Sequence, residues 1–217
     1  MRNLVHRGTQ RPVFKVPSLT LGRTVQCESL LEYEAALLLD ASPQVPSFAE
    51  QPARIHYSLC GTARSHIPDY AVQVGRRKAF LEIKFNKDVT TEVNERTAVL
   101  KNELSRLGWE YHLLTESALR HGSLLENAKS ILRRARHATS EIDSLRVLEH
   151  LRGGLGKTLG DYGWTAHQSV QAAHVAQLIT DGHAAVDWRE PLTDASPVCA
   201  THALKEEAAP WLLAPSA

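Results

Sequence analysis

An aspartate and a Glu-x-Lys motif are the residues of this chain whose types and spacing best suit chemistry. Asp69 begins one apolar run, and Glu82 and Lys84 lie within the next. If they lie at neighbouring strand ends, the two carboxylates can hold Mg²⁺, and the lysine can orient a water or stabilise charge that develops on a phosphate. These groups form a minimal apparatus for hydrolysing a phosphodiester, so the pattern favours a metal-dependent nuclease.

The same motif also has a purely structural interpretation. Side chains alternate along a strand, so Glu82 and Lys84 share one face while their neighbours occupy the other. Charges on an otherwise apolar strand are costly unless they are paired or bound to a ligand. An exposed edge strand with a surface ion pair, worth about 1 kcal/mol or less, would satisfy the same pattern. The motif alone leaves both interpretations open.

The elements that must position these residues can be read from apolar spacing and turn residues. The spacing predicts helices over residues 28–40, 89–107 and 123–136, and strands over residues 54–59, 67–74, 79–85 and 109–114. Gly61 and Gly75 mark turns between strands. Helix, three strands, helix, strand is the order of a mixed α/β domain.

After about residue 139 the pattern changes to short helices. Helical spacing covers residues 141–151, 159–162 and 166–179, and residues 184–193 fit a small hairpin or wing. We therefore expect a basic and irregular N-terminal arm (1–24), an α/β domain (25–137), a small winged-helix-like module (138–200) and a tail (201–217).

Charge is distributed unevenly. Residues 1–137 carry 20 Lys and Arg against 14 Asp and Glu, whereas residues 138–217 carry 5 against 10. A basic first part suits a phosphate-rich partner, and an acidic second part suits protein contacts, although a surface whose charge simply varies would look similar. The three cysteines are far apart, which is typical of free thiols in a cytoplasmic protein. No apolar run is long enough to predict a membrane span.

Two further polar residues are candidates for the site. Glu32 lies in a Leu- and Ala-rich helix, where its carboxylate could face the sheet and bind metal or position a water. Gln51 could border the site from the loop that follows residues 46–50. Taken singly, Glu32 is better explained as part of a solvated helix edge, and Gln51 as an ordinary loop residue.

Taken together, these segments resemble a known family. Glu28-Ser29-Leu30-Leu31-Glu32-Tyr33-Glu34, Pro46-Ser47-Phe48-Ala49-Glu50-Gln51-Pro52, Ile55-His56-Tyr57, Arg64-Ser65-His66-Ile67-Pro68-Asp69-Tyr70 and Phe80-Leu81-Glu82-Ile83-Lys84 occur in this order. The ordered set resembles the TnsA-like endonuclease subunit of heteromeric, cut-and-paste transposases. The resemblance covers roughly residues 25–115.

The resemblance implies a restriction-endonuclease-like fold and Mg²⁺-dependent cleavage of one DNA strand at each transposon end, with Mn²⁺ as a substitute metal. It implies that Glu32, Asp69 and Glu82 are the acidic residues of the site and that Lys84 is its lysine. It further implies two protein partners: a strand-transferring transposase subunit, and an ATPase regulator bound through the C-terminal region. Such a protein would act in the cytoplasm, at the nucleoid.

Basic residues occur in two groups that suit contacts with the phosphates of double-stranded DNA. Arg76, Arg77 and Lys78 precede the Glu-x-Lys strand, and we expect them near the rim of the site. Arg133, Arg134 and Arg136 end a predicted helix. Ordinary solvated charges are an equally good explanation of either group.

Two other patterns carry little weight. The segment 153–158 ends like a phosphate-binding loop, but Leu151 stands where that loop needs its first glycine, so Thr158 more simply caps the next helix. The 11 histidines show no zinc-ligand spacing.

Two alternatives to the transposase subunit remain: a stand-alone nuclease of the restriction or junction-resolving kind, and a catalytically inert DNA-binding or assembly adaptor.

Overall fold

The computed structural model describes residues 13–154 and 157–201 and has a mixed α/β architecture. A four-stranded mixed sheet in the order β3-β6-β7-β8 is flanked by helices, as the sequence predicts for the fold class. The strands are β1 (Phe14–Pro17), β2 (Thr24–Cys27), β3 (Ser47–Glu50), β4 (Ile55–Leu59), β5 (Thr62–His66), β6 (Tyr70–Val74), β7 (Arg77–Lys84), β8 (Glu110–Thr115), β9 (Ala184–Ala185) and β10 (Cys199–Ala200). The helices are α1 (Leu30–Ala41), α2 (Thr91–Ser105), α3 (Glu116–Leu119), α4 (Leu124–Ala135), α5 (Glu141–Arg152) and α6 (Val170–Thr180), with 3₁₀ turns at Asn86–Asp88 and Leu159–Tyr162.

The central sheet combines both kinds of strand pairing. Strand β6 is antiparallel to both β3 and β7, whereas β7 and β8 are parallel. A parallel pair needs a long crossover, and α2 supplies it between β7 and β8. Helix α2 is therefore held against one face of the strand that carries Glu82 and Lys84.

Alternation along β7 divides its side chains between two apolar layers. Ala79, Leu81 and Ile83 pack in a core that contains most of α1 and part of α4. Phe80 points to the other face and packs with Leu100 of α2, where its ring stacks on Trp109 at a centroid distance of 4.5 Å. Since Glu82 alternates with Leu81 and Ile83, its side chain belongs to the face covered by α2.

The described part of the predicted N-terminal arm is not an irregular lead-in. Strands β1 and β2 form an antiparallel hairpin, and Val16 and Val25 are completely buried in the core beside α1. The buried Asp40 near the end of α1 fixes the turn of this hairpin, because its carboxylate accepts hydrogen bonds from the Ser18 hydroxyl and from the backbone N–H groups of Leu19 and Thr20. Residues 1–12 lie outside the described chain.

The C-terminal helices α5 and α6 pack with α4 around a second core, which includes Leu151, Trp164 and Val175. Thr158 and Asp161 cap the 3₁₀ turn Leu159–Tyr162, as predicted for Thr158. The predicted hairpin within residues 184–193 is wrong, because β9 pairs instead with β10. The buried Asn127 of α4 holds the irregular chain between these strands through the carbonyls of Trp188 and Glu190 and the N–H of Leu192.

The predicted tail lies outside the described residues from position 202 onward. Within residues 13–154 and 157–201, none of the helices combines the length and apolar character needed to cross a membrane.

Candidate active site

Asp69 and Glu82 meet at one end of the β6–β7 pair. Tyr70 begins β6 and pairs with Leu81 in the antiparallel register, so Asp69, the residue just before β6, comes beside Glu82. The two carboxyl groups are close enough to interact electrostatically. The Asp69 side chain is fixed by the backbone N–H of Ile83, which donates to Oδ2 at 2.7 Å.

Glu82 is the most enclosed charged group of this site, with a residue exposure of 1%. Its Oε1 lies 3.1 Å from Lys84 Nζ and 2.8 Å from Arg96 Nη2, and its Oε2 lies 2.6 Å from His66 Nε2. Arg96 comes from α2, and His66 is the last residue of β5. Both carboxylate oxygens therefore already have basic partners, which explains how a carboxylate is tolerated on a buried strand.

The three carboxylates interact electrostatically. Burial raises the pKa of Asp69 well above its ordinary value, and the nearby charges of Glu82 and Glu32 raise it further. Burial would also raise the pKa of Glu82, but the hydrogen bond with His66 and the charges of Lys84 and Arg96 outweigh it, so this pKa is lowered. Asp69 thus carries the uncompensated repulsion of the site, which a bound cation would relieve.

Glu32 comes near Asp69 and Glu82 from α1, but its carboxylate is hydrogen-bonded at the start of its own helix. Its Oε1 accepts from the Ser29 hydroxyl and its Oε2 from the backbone N–H of Glu28, both at 2.9 Å. Ser29, the N-cap residue of α1, in turn accepts from the N–H of Glu32, so Ser29 and Glu32 bind each other at the start of the helix. Burial raises the pKa of Glu32, while the charge of Lys84 lowers it. Glu32 is therefore near the other acidic groups but committed to helix capping.

Gln51 borders the site, where the sequence places it. Its backbone N–H donates to the Asp69 carbonyl at 2.8 Å, and its Nε2 donates to Glu28 Oε1 at 2.8 Å. Its backbone is in the left-handed region at φ 43°, which is uncommon for a residue other than glycine. Gln51 Oε1 is buried without a partner in the described part of the chain.

Sequence reasoning overlooked Arg96 and gave His66 no role. Arg96 follows Val93 by three residues and precedes Leu100 by four, so it lies on the buried face of α2. A charge on an apolar helix face needs a partner, and Glu82 on an apolar strand has the same need. A lone arginine on an apolar helix face and a lone glutamate on an apolar strand could therefore have indicated from sequence that Arg96 and Glu82 form a pair. The hydroxyl of Tyr111 is buried near Arg96 and Glu82, and burial raises its pKa.

The donor set fits Mg²⁺ in part. Asp69 and Glu82 are hard oxygen ligands, and their mutual repulsion favours a divalent cation. Among the described residues, however, no group of three or more His, Cys, Asp or Glu side chains is arranged to hold a metal. Glu82 is saturated with basic partners and Glu32 caps its helix, so a metal ion must displace contacts that the protein makes for itself.

The expected position of Arg76, Arg77 and Lys78 near the rim of the site is wrong. They lie at the β6–β7 turn, which joins the strand ends opposite to those that carry Asp69 and Glu82. At about 3.3 Å per residue, the turn is roughly 15–20 Å along β7 from Glu82. Arg77 is paired with Glu110 at 2.7 Å, and the Lys78 ammonium lies 5.8 Å from the Trp109 ring centroid.

The members of the second basic group, Arg133, Arg134 and Arg136, lie in different surroundings. The Arg134 guanidinium donates to the Trp164 carbonyl from Nε at 3.0 Å and from Nη2 at 2.7 Å, and lies 4.2 Å from the Trp164 ring centroid. Arg136 donates to the Pro17 carbonyl at 2.9 Å. Arg133 is exposed and lines a cavity of about 580 Å³ together with His137 and His167. Arg134 borders the same cavity, and of the two Arg133 is the more exposed to a ligand there.

Comparison of the chain with models of known protein families and with curated proteins found no match.

Proposed function

We propose that this protein is a Mg²⁺-dependent DNA endonuclease with a restriction-endonuclease-like fold, which cleaves one strand at each transposon end as a subunit of a heteromeric transposase. The observation that carries the proposal is the proximity of Asp69 to Glu82 where β6 begins and β7 ends, with Asp69 Oδ2 bonded to the N–H of Ile83 and Lys84 Nζ 3.1 Å from Glu82. The resemblance of the ordered motifs supports the specific biological role.

In this proposal Asp69 and Glu82, with Glu32 beside them, hold Mg²⁺. When bound, the metal supplies an activated water for attack on phosphorus and stabilises the leaving oxygen. Lys84 is the accessible member of the cluster, with one third of its side chain exposed. Its ammonium can therefore reach the substrate and offset charge on the phosphate. Ile83 contributes through its N–H, which fixes the orientation of the Asp69 carboxylate.

The DNA backbone would be contacted at a second place, the cavity lined by Arg133, His137 and His167. None of the cavity's lining residues is acidic, and it lies in the region that we expect to act as a winged-helix-like module. The same C-terminal region is the proposed contact for the ATPase regulator, and the strand-transferring subunit is the proposed partner at the DNA end. The protein would work at the nucleoid, in the cytoplasm.

Nicking of supercoiled plasmid in Mg²⁺ or Mn²⁺ tests the chemistry, and Mn²⁺ binding followed by electron paramagnetic resonance tests the metal site without requiring turnover. Asp69→Asn should abolish both nicking and tight Mn²⁺ binding, because it removes one of the two paired carboxylates. Asp88→Asn, at an exposed carboxylate, is the matched control. Unchanged Mn²⁺ binding in Asp69→Asn would refute the assigned site. Nicking by the isolated chain would favour a stand-alone nuclease over a subunit that needs its partner.

One observation favours the inert adaptor as a second candidate. Glu82 makes close contacts with His66, Lys84 and Arg96, so the carboxylate is satisfied without metal. A nuclease-like domain that only binds DNA could keep this network as part of its core. Absence of Mn²⁺ binding at millimolar concentration, with and without DNA, would decide for the adaptor.

A further inference from the structure

The partners of Glu82 impose a condition on metal binding. The Glu82 side chain is only 2% exposed, and each of its oxygens has a basic neighbour within 3.1 Å. A divalent cation can reach this carboxylate only if one of those neighbours moves away. Whichever partner leaves must also find a new anion, because an unpaired charge in a largely buried site is unfavourable.

Arg96 is the partner best suited to such an exchange. Its planar guanidinium matches the oxygens of a phosphate as well as those of a carboxylate, which the ammonium of Lys84 does not. Its side chain is 18% exposed, so it lies at the boundary between the buried network and solvent. Its bond to Glu82 runs through Nη2 alone, and the neighbouring Tyr111 hydroxyl lies close to the guanidinium, so Glu82 satisfies only part of the donor capacity of Arg96.

The charges of the site favour movement of Arg96 from Glu82 to a phosphate when DNA binds. In the protein without DNA, the positive charges of Arg96 and Lys84 lie against Glu82, which weakens the attraction of the site for a divalent cation. A phosphodiester adds one negative charge to the site. An arginine drawn to that phosphate would release one oxygen of Glu82 at the moment when the site becomes more negative.

We infer that Arg96 is a phosphate-binding residue that pairs with Glu82 in the DNA-free protein and with the scissile phosphate in the complex, so that DNA binding strengthens binding of the divalent metal. This inference rests on the proposed nuclease function and adds to it a substrate contact and an order of assembly. Because coupling between two ligands is reciprocal, the metal strengthens DNA binding by the same factor.

The test measures Mn²⁺ affinity of the full chain by electron paramagnetic resonance, with and without a random-sequence DNA duplex that is checked afterwards for cleavage. For the wild type, DNA should tighten Mn²⁺ binding by about tenfold, which lies within the usual range of coupling between two sites. In Arg96→Gln, Mn²⁺ should bind more tightly than to the wild type when DNA is absent, because Glu82 is released. The further gain caused by DNA should disappear.

Two variants make the outcome specific. Arg106→Gln removes an exposed arginine at the end of the same helix and should leave both affinities unchanged. Arg96→Lys keeps the positive charge beside Glu82, protects the fold, and should retain weak DNA-free Mn²⁺ binding but lose most of the coupling.

The possible failures can be distinguished. Wild-type Mn²⁺ affinity that is the same with and without DNA would overturn the inference while leaving the nuclease proposal intact. Weaker DNA-free Mn²⁺ binding in Arg96→Gln would show that Arg96 only positions Glu82, and would also overturn it. No wild-type Mn²⁺ binding under either condition would overturn the proposed function together with the inference.

Discussion

Arg133 and Arg134 are neighbours in the chain and border the same cavity, but the Arg134 guanidinium is also bound to the protein by hydrogen bonds and a ring contact. Arg133 is exposed and lines the cavity formed with His137 and His167. Arg134 lies over the ring of the buried Trp164 and donates twice to its carbonyl. Burial and the charge of Arg133 lower the pKa of Arg134. One arginine is therefore available to a ligand, and the other connects α4 to the chain before α6.

This difference gives opposite expectations for two alanine variants. Arg134→Ala should lower the free energy of unfolding by about 2 kcal/mol, because it removes two hydrogen bonds to a carbonyl and a cation–π contact. Arg133→Ala should leave stability within about 0.5 kcal/mol of the wild type, but weaken DNA binding and reduce its salt slope by about one. Urea unfolding and fluorescence anisotropy measure the two effects. Equal DNA affinity for Arg133→Ala and wild type would exclude the cavity as a DNA contact.

The Asp40 carboxylate should be one of the most important polar groups for stability. It is 1% exposed and accepts three hydrogen bonds from the turn between β1 and β2. Asp40→Ala would leave buried donors without partners, so we expect a loss of about 3 kcal/mol in the free energy of unfolding. Asp88→Ala, at an exposed position, should change stability by about 0.5 kcal/mol or less. Urea titration of both variants checks the difference.

Acid should weaken the contact between Arg23 and Glu50. Burial would raise the pKa of Glu50, but hydrogen bonds from Arg23, at 2.7 Å to each oxygen, outweigh it and hold the pKa below its ordinary value of 4.5. A carboxyl whose folded-state pKa is lowered contributes stability above its unfolded-state pKa, and that contribution is lost as pH falls through the folded-state value. Arg23→Gln should therefore be less stable than wild type at pH 7, and the difference should shrink below about pH 4.5. Unfolding curves with a pH-independent difference would contradict this expectation.

The three cysteines should differ in reactivity. Cys27 is completely buried, with its Sγ 3.3 Å from the Tyr70 hydroxyl, and burial raises the pKa of its thiol to about 12. Cys60 and Cys199 are exposed. Because the thiolate is the reactive form, iodoacetamide at pH 8 should modify the two exposed cysteines, and Cys27 only after denaturation. Mass spectrometry of the labelled peptides would reveal any early modification of Cys27.

Periodicity was sufficient to predict most of the central elements. The apolar run around Leu81 and Ile83 predicts β7, and the spacing of Val93, Leu100 and Leu104 predicts α2. These patterns are local, because each depends on which face of one element is buried. The approach of Asp69 to Glu82 followed from the same patterns once the two strands were assumed to pair.

What the sequence did not reveal depends on contacts between distant segments. The apolar pattern of the hairpin β1–β2 is too short to predict, because its fully buried face consists of Val16, Val25 and Cys27, and Pro17 is untypical of a strand. Arg76 was placed at the wrong end of β7, because proximity in the chain was taken for proximity to Glu82. The bond between Arg96 and Glu82 joins positions 14 residues apart, and only the packing of α2 across the sheet brings them together.

Helix α4 contributes buried side chains to both apolar cores. Leu125 and Leu132 pack with α1 and the sheet, whereas Ile131 and Ala135 pack with α5 and α6. A chain that ended after residue 137 would expose the second pair to water, and a fragment that began there would lack one wall of its own interior. We therefore expect the two halves to unfold together. Evolution could not exchange the C-terminal half for another module without also redesigning this helix.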